Sequence, residues 1–219
     1  MTIEVDEKTG LFYRTHADDS MIIGERRLYK KLLEVARPTD RFLDLGAHIG
    51  VVATMFGPHV AQVIALEPDE DNLTLLRKNV EKFNLQGKVS IIPEAVADET
   101  GTRSFYLNTK RGMCSHTLVK KRGRVEVQVP VVAFHELLDT YNPDLIKMDI
   151  EGGEYELIGD LRYLPLSVRG ISIELHMNRK EWREDLAPKI HRILSEQFTV
   201  VLPPKFGPGG WGTTPLYLR

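Results

Sequence analysis

From Arg41 onward, short apolar runs alternate with stretches of helical periodicity, and this alternation restricts the fold more than any other feature of the chain. Residues 42–45, 62–66 and 89–92 are compact runs of strand length. A glycine turn after the first leads into a short helix from about Ile49, and residues 69–83 carry Leu73, Leu76, Val80 and Phe83 at helical spacing. Further on, 133–139 reads as helix, 145–148 as strand, 153–161 as helix and 170–175 as strand. Asn178 with Glu181 forms a capping-box-like pair before a helical stretch that restarts at Pro188 and runs to about Glu196. Strand 198–202, a Pro/Gly loop to Gly212 and a strand near 216–218 close the chain. Strands alternating with helices predict an α/β fold with a mostly parallel sheet, and the terminal strand–loop–strand adds an antiparallel edge.

Two segments depart from the alternation. Residues 3–5 and 11–13 flank a turn and read as a hairpin, followed by a helix over 21–36 that Ser20 caps and whose apolar stripe is Leu28, Leu32 and Val35. In the middle, 103–108 reads as strand, and Val125, Val127, Val129 and Val131 keep a period of two. Together they predict an antiparallel insertion over 102–132 with a buried valine face. Without repeats or a linker, residues 1–219 read as one domain in which 1–38 is an N-terminal extension.

Composition narrows the function classes. A net charge of −2 gives no basic field for nucleic acid or anionic membrane. No run reaches the length of a membrane span, and the acidic start is unlike a signal peptide. Cys114 is the single cysteine, so a disulfide within the chain and a cysteine-only metal site are excluded. A cytoplasmic protein acting on a small molecule is expected, with the oligomeric state not readable.

Ligands of such sheets bind beyond the carboxyl ends of the strands, where the strand order reverses. The first turn there is Asp44-Leu45-Gly46-Ala47-His48-Ile49-Gly50. Gly46 and Gly50 allow a sharp strand-to-helix turn, and the helix start offers N–H groups to an anion. Asp44 is placed to pair with a cationic group, and Glu67 ends the next strand, placed to accept from ribose hydroxyls. The turn is G-x-x-x-G and lacks the middle glycine that admits a pyrophosphate. An acid leading into it suits an ammonium-bearing ligand, so S-adenosylmethionine is favoured over a dinucleotide.

At these residues the chain resembles the FkbM-type methyltransferases. The resemblance rests on residues 42–50, on Ala65-Leu66-Glu67-Pro68, on residues 94–101, and most specifically on Leu145-Ile146-Lys147-Met148-Asp149-Ile150-Glu151-Gly152-Gly153-Glu154. It covers roughly residues 40–176. It implies a class I methyltransferase (Rossmann-like) fold, doubly wound, with a mostly parallel seven-stranded sheet, an antiparallel edge and an inserted β-hairpin. It also implies S-adenosyl-L-methionine held by Asp44, Gly46, Gly50 and Glu67, with Ala47, His48 and Pro68 beside them and Glu94-Ala95 bordering the adenine. His48 stands where the family leads one to expect asparagine. Members commonly O-methylate small metabolites, sugars or natural products.

Asp149 is expected to point into the crevice beside the donor, with Glu151 near it and Lys147 on the same sheet face. The strand ending at His176 delivers a histidine to the same edge. A hydroxyl acceptor must lose its proton, and histidine is the usual base at neutral pH. Asp149 orients His176, or both help hold a divalent cation; no local spacing marks a metal site, and none is assigned. The stretch 103–124 has seven basic residues and no acid, so it is either a solvated loop or a lid bringing Ser115 and His116 over the acceptor. Trp211 is a further candidate for the acceptor side. Two other readings stay open: a nicotinamide-dependent oxidoreductase, and a non-catalytic adenosyl-binding module.

Overall fold

The structure, a computed structural model, describes residues 2–15, 19–108, 115–206 and 212–219. β1 (Ile3–Val5) and β2 (Phe12–Arg14) form the N-terminal hairpin, with Ile3 opposite Arg14. The helix expected over 21–36 is broken into α1 (Asp19–Gly24), a 3-10 turn over Glu25–Tyr29 and α2 (Lys30–Glu34). Gly24, a poor helix former, sits where the winding changes. The alternating part then runs β3 (Arg41–Leu45), α3 (Val51–Phe56), β4 (Gln62–Leu66), α4 (Glu70–Lys82) and β5 (Val89–Ile92). Asp69 starts α4 by accepting a hydrogen bond from the Asn72 N–H at 2.9 Å.

The insertion holds β6 (Ala95–Ala97), β7 (Gly101–Leu107) and β8 (Val125–Ala133), in the order β6-β8-β7. β7 and β8 pair antiparallel along their length. The valine face is buried only toward its end: Val125 is exposed, whereas Val129 and Val131 are buried against Ala95, Ala97 and Phe105. After α5 (Phe134–Tyr141) and β9 (Leu145–Met148), the helix expected over 153–161 is replaced by a 3-10 turn at Gly153–Tyr155 and α6 (Ile158–Leu161). β10 (Gly170–Ile173) and β11 (Leu175–His176) are separated at Glu174, because β11 leaves the main sheet to pair with β13. α7 (Ala187–Gln197) follows a π turn, with Pro188 in its first turn, and β12 (Thr199–Leu202), β13 (Gly212–Thr213) and β14 (Leu216–Leu218) complete the chain.

Seven strands form the main sheet in the order β12-β14-β10-β9-β3-β4-β5. β10, β9, β3, β4 and β5 are parallel, and β14 runs antiparallel to both β10 and the edge strand β12. Alternate residues of the strands feed two cores. Leu43, Leu45, Ile146 and Ile171 pack toward α5, α6 and α7, while Phe42, Val63 and Leu145 pack toward α2, α3 and α4. Burying such side chains fully stabilises the fold by about 1.5–3 kcal/mol each. The strand order reverses between β3 and β9, and the carboxyl ends of those strands face the cavity described next.

Candidate active site

A cavity of about 550 Å³ lies over the carboxyl ends of β3, β4, β9 and β10, within the usual range for small-molecule sites. The turn after β3 forms one wall through Gly46, Ala47 and His48. Gly46 has φ +79°, and a Cβ there would collide with the Asp149 carbonyl oxygen, so only glycine lets the β3 and β9 ends meet. The N–H groups of Gly46 and Ala47 donate to the Leu66 carbonyl at 3.1 and 2.8 Å, and that of His48 donates to Glu67 Oε2 at 2.8 Å. These groups tie the turn to β4.

Glu67 and Pro68 line the cavity beside that turn. Glu67 also accepts from the Asp69 N–H at 3.0 Å and from Asn72 Nδ2 at 3.2 Å. A carboxylate has about four acceptor positions, so capacity for a ligand hydroxyl remains. Burial pushes Glu67 up to about 7, against the pull of the N–H groups that donate to it. His48, at φ +52°, lines the cavity with neither ring nitrogen hydrogen-bonded, and burial lowers it to about 3, so the ring is neutral. Glu94 and Ala95 continue this wall.

Asp44 is fully buried and does not line the cavity. The β3–β9 register sets it opposite Lys147, whose Nζ lies 3.4 Å from Asp44 Oδ1 and 3.8 Å from Asp149 Oδ2. The same ammonium donates to the Gly46 carbonyl at 2.6 Å. Burial works against the Lys147 charge, but Asp44 and Asp149 hold its pKa above the usual lysine value. The cation that Asp44 pairs with is therefore one from its own fold. Gly50 also lies outside the lining, at the start of α3.

On the opposite side, Asp149, Glu151 and His176 line the cavity together with Glu174, which sequence reasoning did not single out. His176 Nδ1 donates to Glu154 Oε1 at 3.1 Å, and Glu154 also accepts from the His176 and Gly152 N–H groups, each at 2.8 Å. Tyr155 donates to the His176 carbonyl at 2.5 Å. Nε2 faces three acids: Glu151 at 3.7 Å, Asp149 at 3.9 Å and Glu174 at 3.9 Å. Although burial opposes the charge, Glu154, Glu151 and Glu174 hold the imidazole well above its ordinary value. Asp149 and burial in turn push Glu174 up to about 8.

The insertion and the N-terminal segment close the site. Ser115 and His116 line the cavity, as do Lys121 and Arg124 from the basic stretch. Thr117 Oγ1 donates to the Glu151 carbonyl at 2.8 Å, Arg124 binds both the carbonyl and the hydroxyl of Ser115, and Lys121 Nζ is 4.0 Å from Glu151. The Asn108 N–H donates to His116 Nδ1 at 2.9 Å, fixing that ring. Met21, Ile22, Glu25 and Tyr29 reach in from α1 and the 3-10 turn, a role that went unread in the sequence. Trp211 lies outside the described residues.

A mostly parallel sheet in this strand order, with a pocket at the point of reversal, is the class I methyltransferase fold. The chain matches the methyltransferase FkbM domain over residues 44–198 and belongs to that family. Among curated proteins it is similar to the hexuronic acid methyltransferase AglP of Haloferax volcanii, 26% identical over 156 residues, which are 70% of this chain and 63% of that protein. Among solved structures it resembles a methyltransferase FkbM from Methylobacillus flagellatus, with TM-score 0.54 and 21% identity over 84% of this chain and 44% of that one. It also resembles M. jannaschii TYW2 in complex with AdoMet, with TM-score 0.53 and 14% identity over 100% and 87% of the two chains. At these identities the structures share the fold. The chain spans less than two thirds of the length of AglP and of the Methylobacillus protein. No described helix is long and apolar enough to cross a membrane.

Proposed function

We propose that the chain O-methylates a hydroxyl of a small, carboxylate-bearing sugar or related metabolite. The observation that carries this reading is that Glu67 and His176 line one cavity from opposite sides. On the donor side, Glu67 receives the ribose hydroxyls, the 46–48 turn and Pro68 frame the adenosyl group, and Glu94-Ala95 borders the adenine. The bound donor supplies an electrophilic methyl group on a positively charged sulfur. On the acceptor side, Asp149 accepts from the hydroxyl and His176 orients it, with Glu154 holding the imidazole in place. Enclosure by the insertion aligns the acceptor oxygen behind the methyl carbon, the main demand of an in-line displacement. Lys121 and Arg124 offer positive charge to an acidic acceptor, and the name of the Haloferax relative supports that class.

The test is methyl transfer to glucuronic acid in competition with glucose, followed by mass spectrometry. A product 14 Da heavier, formed on the acid at least tenfold faster, is expected, with the preference lost in Lys121→Ala/Arg124→Ala. Equal rates on both sugars, or a product methylated at nitrogen in an amine-bearing analogue only, contradict the reading.

A further inference from the structure

At the carboxyl ends of β9 and β10 the register sets two acids side by side. Met148 pairs with Ile173, so Asp149 and Glu174 are the next residues on neighbouring parallel strands. Both enter the cavity, where His176 joins them. One carboxylate oxygen of each acid and a ring nitrogen of His176 all lie within 4.8 Å of one another. Nε2 is 3.9 Å from Asp149 Oδ1 and 3.9 Å from Glu174 Oε1. Two atoms that are each about 2.1 Å from a shared ion are at most about 4.2 Å apart. Both nitrogen–oxygen spans lie within that reach.

An independent sign points to a ligand at this place. Tyr29 is 1% exposed, lines the same cavity, and its hydroxyl has no hydrogen-bond partner. The charged groups that bear on it most strongly are the carboxylates of Asp149 and Glu174. A buried hydroxyl left unpaired costs roughly 1–3 kcal/mol, and a water held on an ion among those acids removes that cost. His176 is also arranged as a ligand. Its Nδ1 is engaged by Glu154, which turns Nε2 toward the acids, the arrangement that orients metal-bound histidines elsewhere.

We propose that Asp149, Glu174 and His176 hold one hard divalent cation, Mg²⁺ or Mn²⁺, which binds the acceptor hydroxyl. The inference rests on reading this cavity as the acceptor pocket. Two carboxylates and one imidazole with open positions form an oxygen-rich set that suits these ions and not thiophilic ones. In this arrangement His176 is a ligand, and the base expected there is Glu151, whose Oε2 lies 3.7 Å from Nε2. The ion-bound hydroxyl gives its proton to Glu151, which passes it to water. The resulting oxygen attacks the methyl carbon. A C–O bond forms as the C–S bond breaks, the electron pair goes to sulfur, and the thioether leaves.

The test titrates Mn²⁺ into the chelator-stripped chain without donor, following loss of the free-ion paramagnetic resonance signal. One ion per chain, displaced by Mg²⁺, is expected. Asp149→Asn and Glu174→Gln each weaken it at least tenfold, while Glu7→Gln leaves it unchanged and circular dichroism shows each variant folded. If Asp149→Asn does not fold, Glu174→Gln alone decides the matter. No binding at millimolar Mn²⁺, or equal binding by wild type and Glu174→Gln, overturns the site. S-adenosylhomocysteine affinity, measured separately by calorimetry, decides the donor reading whatever the ion does.

Discussion

Glu67 and Lys147 carry the two residue-level consequences that are simplest to measure. Burial lifts Glu67 to about 7, with Asp69 adding to the rise and N–H donors from His48, Asp69 and Asn72 opposing it. Ribose hydroxyls donate to a carboxylate, so donor binding selects the ionised form. S-adenosylhomocysteine affinity should therefore climb from about pH 6 to about pH 8, by at most about tenfold per unit, and then level off. Without donor the sign for stability is the reverse. The native state keeps a proton that the unfolded chain loses above the ordinary glutamate value of 4.5, so stability falls as pH rises toward about 7. Calorimetry and thermal melts of Glu67→Gln should show both dependences flattened. Lys147 is buried between Asp44 and Asp149. Lys147→Met leaves Asp44 buried without its partner and should cost about 3–5 kcal/mol. Lys147→Met/Asp44→Asn should recover a large part of that loss in denaturant unfolding. Sequence reasoning placed these residues well: the period of two set Lys147 on the face of Asp149, and the strand end set Glu67 at the pocket. It did not place Glu174, although Ser172, Glu174 and His176 share a face by the same alternation. The break between β10 and β11 brings that acid to the site, and it depends on β13, which is distant in sequence.

At the scale of elements, periodicity gave the right stretches but not the windings within them. Leu28, Leu32 and Val35 mark a helix, and Leu32 is buried as that stripe requires. Met21, Glu25 and Tyr29 also recur at a spacing of four, on the side that covers the cavity. That second stripe carried no signal, because a sequence does not state which element roofs a pocket. The 153–161 helix failed for a local reason. Gly152 takes φ +101° with the Trp182 ring packed where its Cβ would stand, and Glu154 turns inward to bind the Gly152 and His176 N–H groups. Tertiary packing thus overrides helix propensity there. Gly152→Ala combines left-handed backbone strain with that collision and should destabilise the fold by about 2–4 kcal/mol in denaturant unfolding. Because it shifts the loop that carries Glu151 and Glu154, it should also lower turnover while leaving S-adenosylhomocysteine affinity within about twofold.

For the whole molecule, the alternating pattern was enough to read a mostly parallel sheet and to place chemistry at the carboxyl ends of its strands. The strand order and the reversed β14 follow from long-range pairing, which periodicity does not encode. The insertion was legible as antiparallel, while its basic stretch read either as a solvated loop or as a lid with cations for an acidic substrate; Lys121 and Arg124 line the cavity, and Thr117 anchors the segment to Glu151. The proposed donor wall, acceptor-side acids and covering segment thus come from separate parts of the chain and meet only once the sheet is formed. The most direct test of that convergence compares donor binding with turnover in two variants. Glu67→Ala should weaken S-adenosylhomocysteine binding at least tenfold. His176→Ala should bind it within about twofold of wild type yet lose turnover by at least about a hundredfold. If His176→Ala turns over normally, or Glu67→Ala binds the product as tightly as wild type, the two walls do not serve one reaction and the account is wrong.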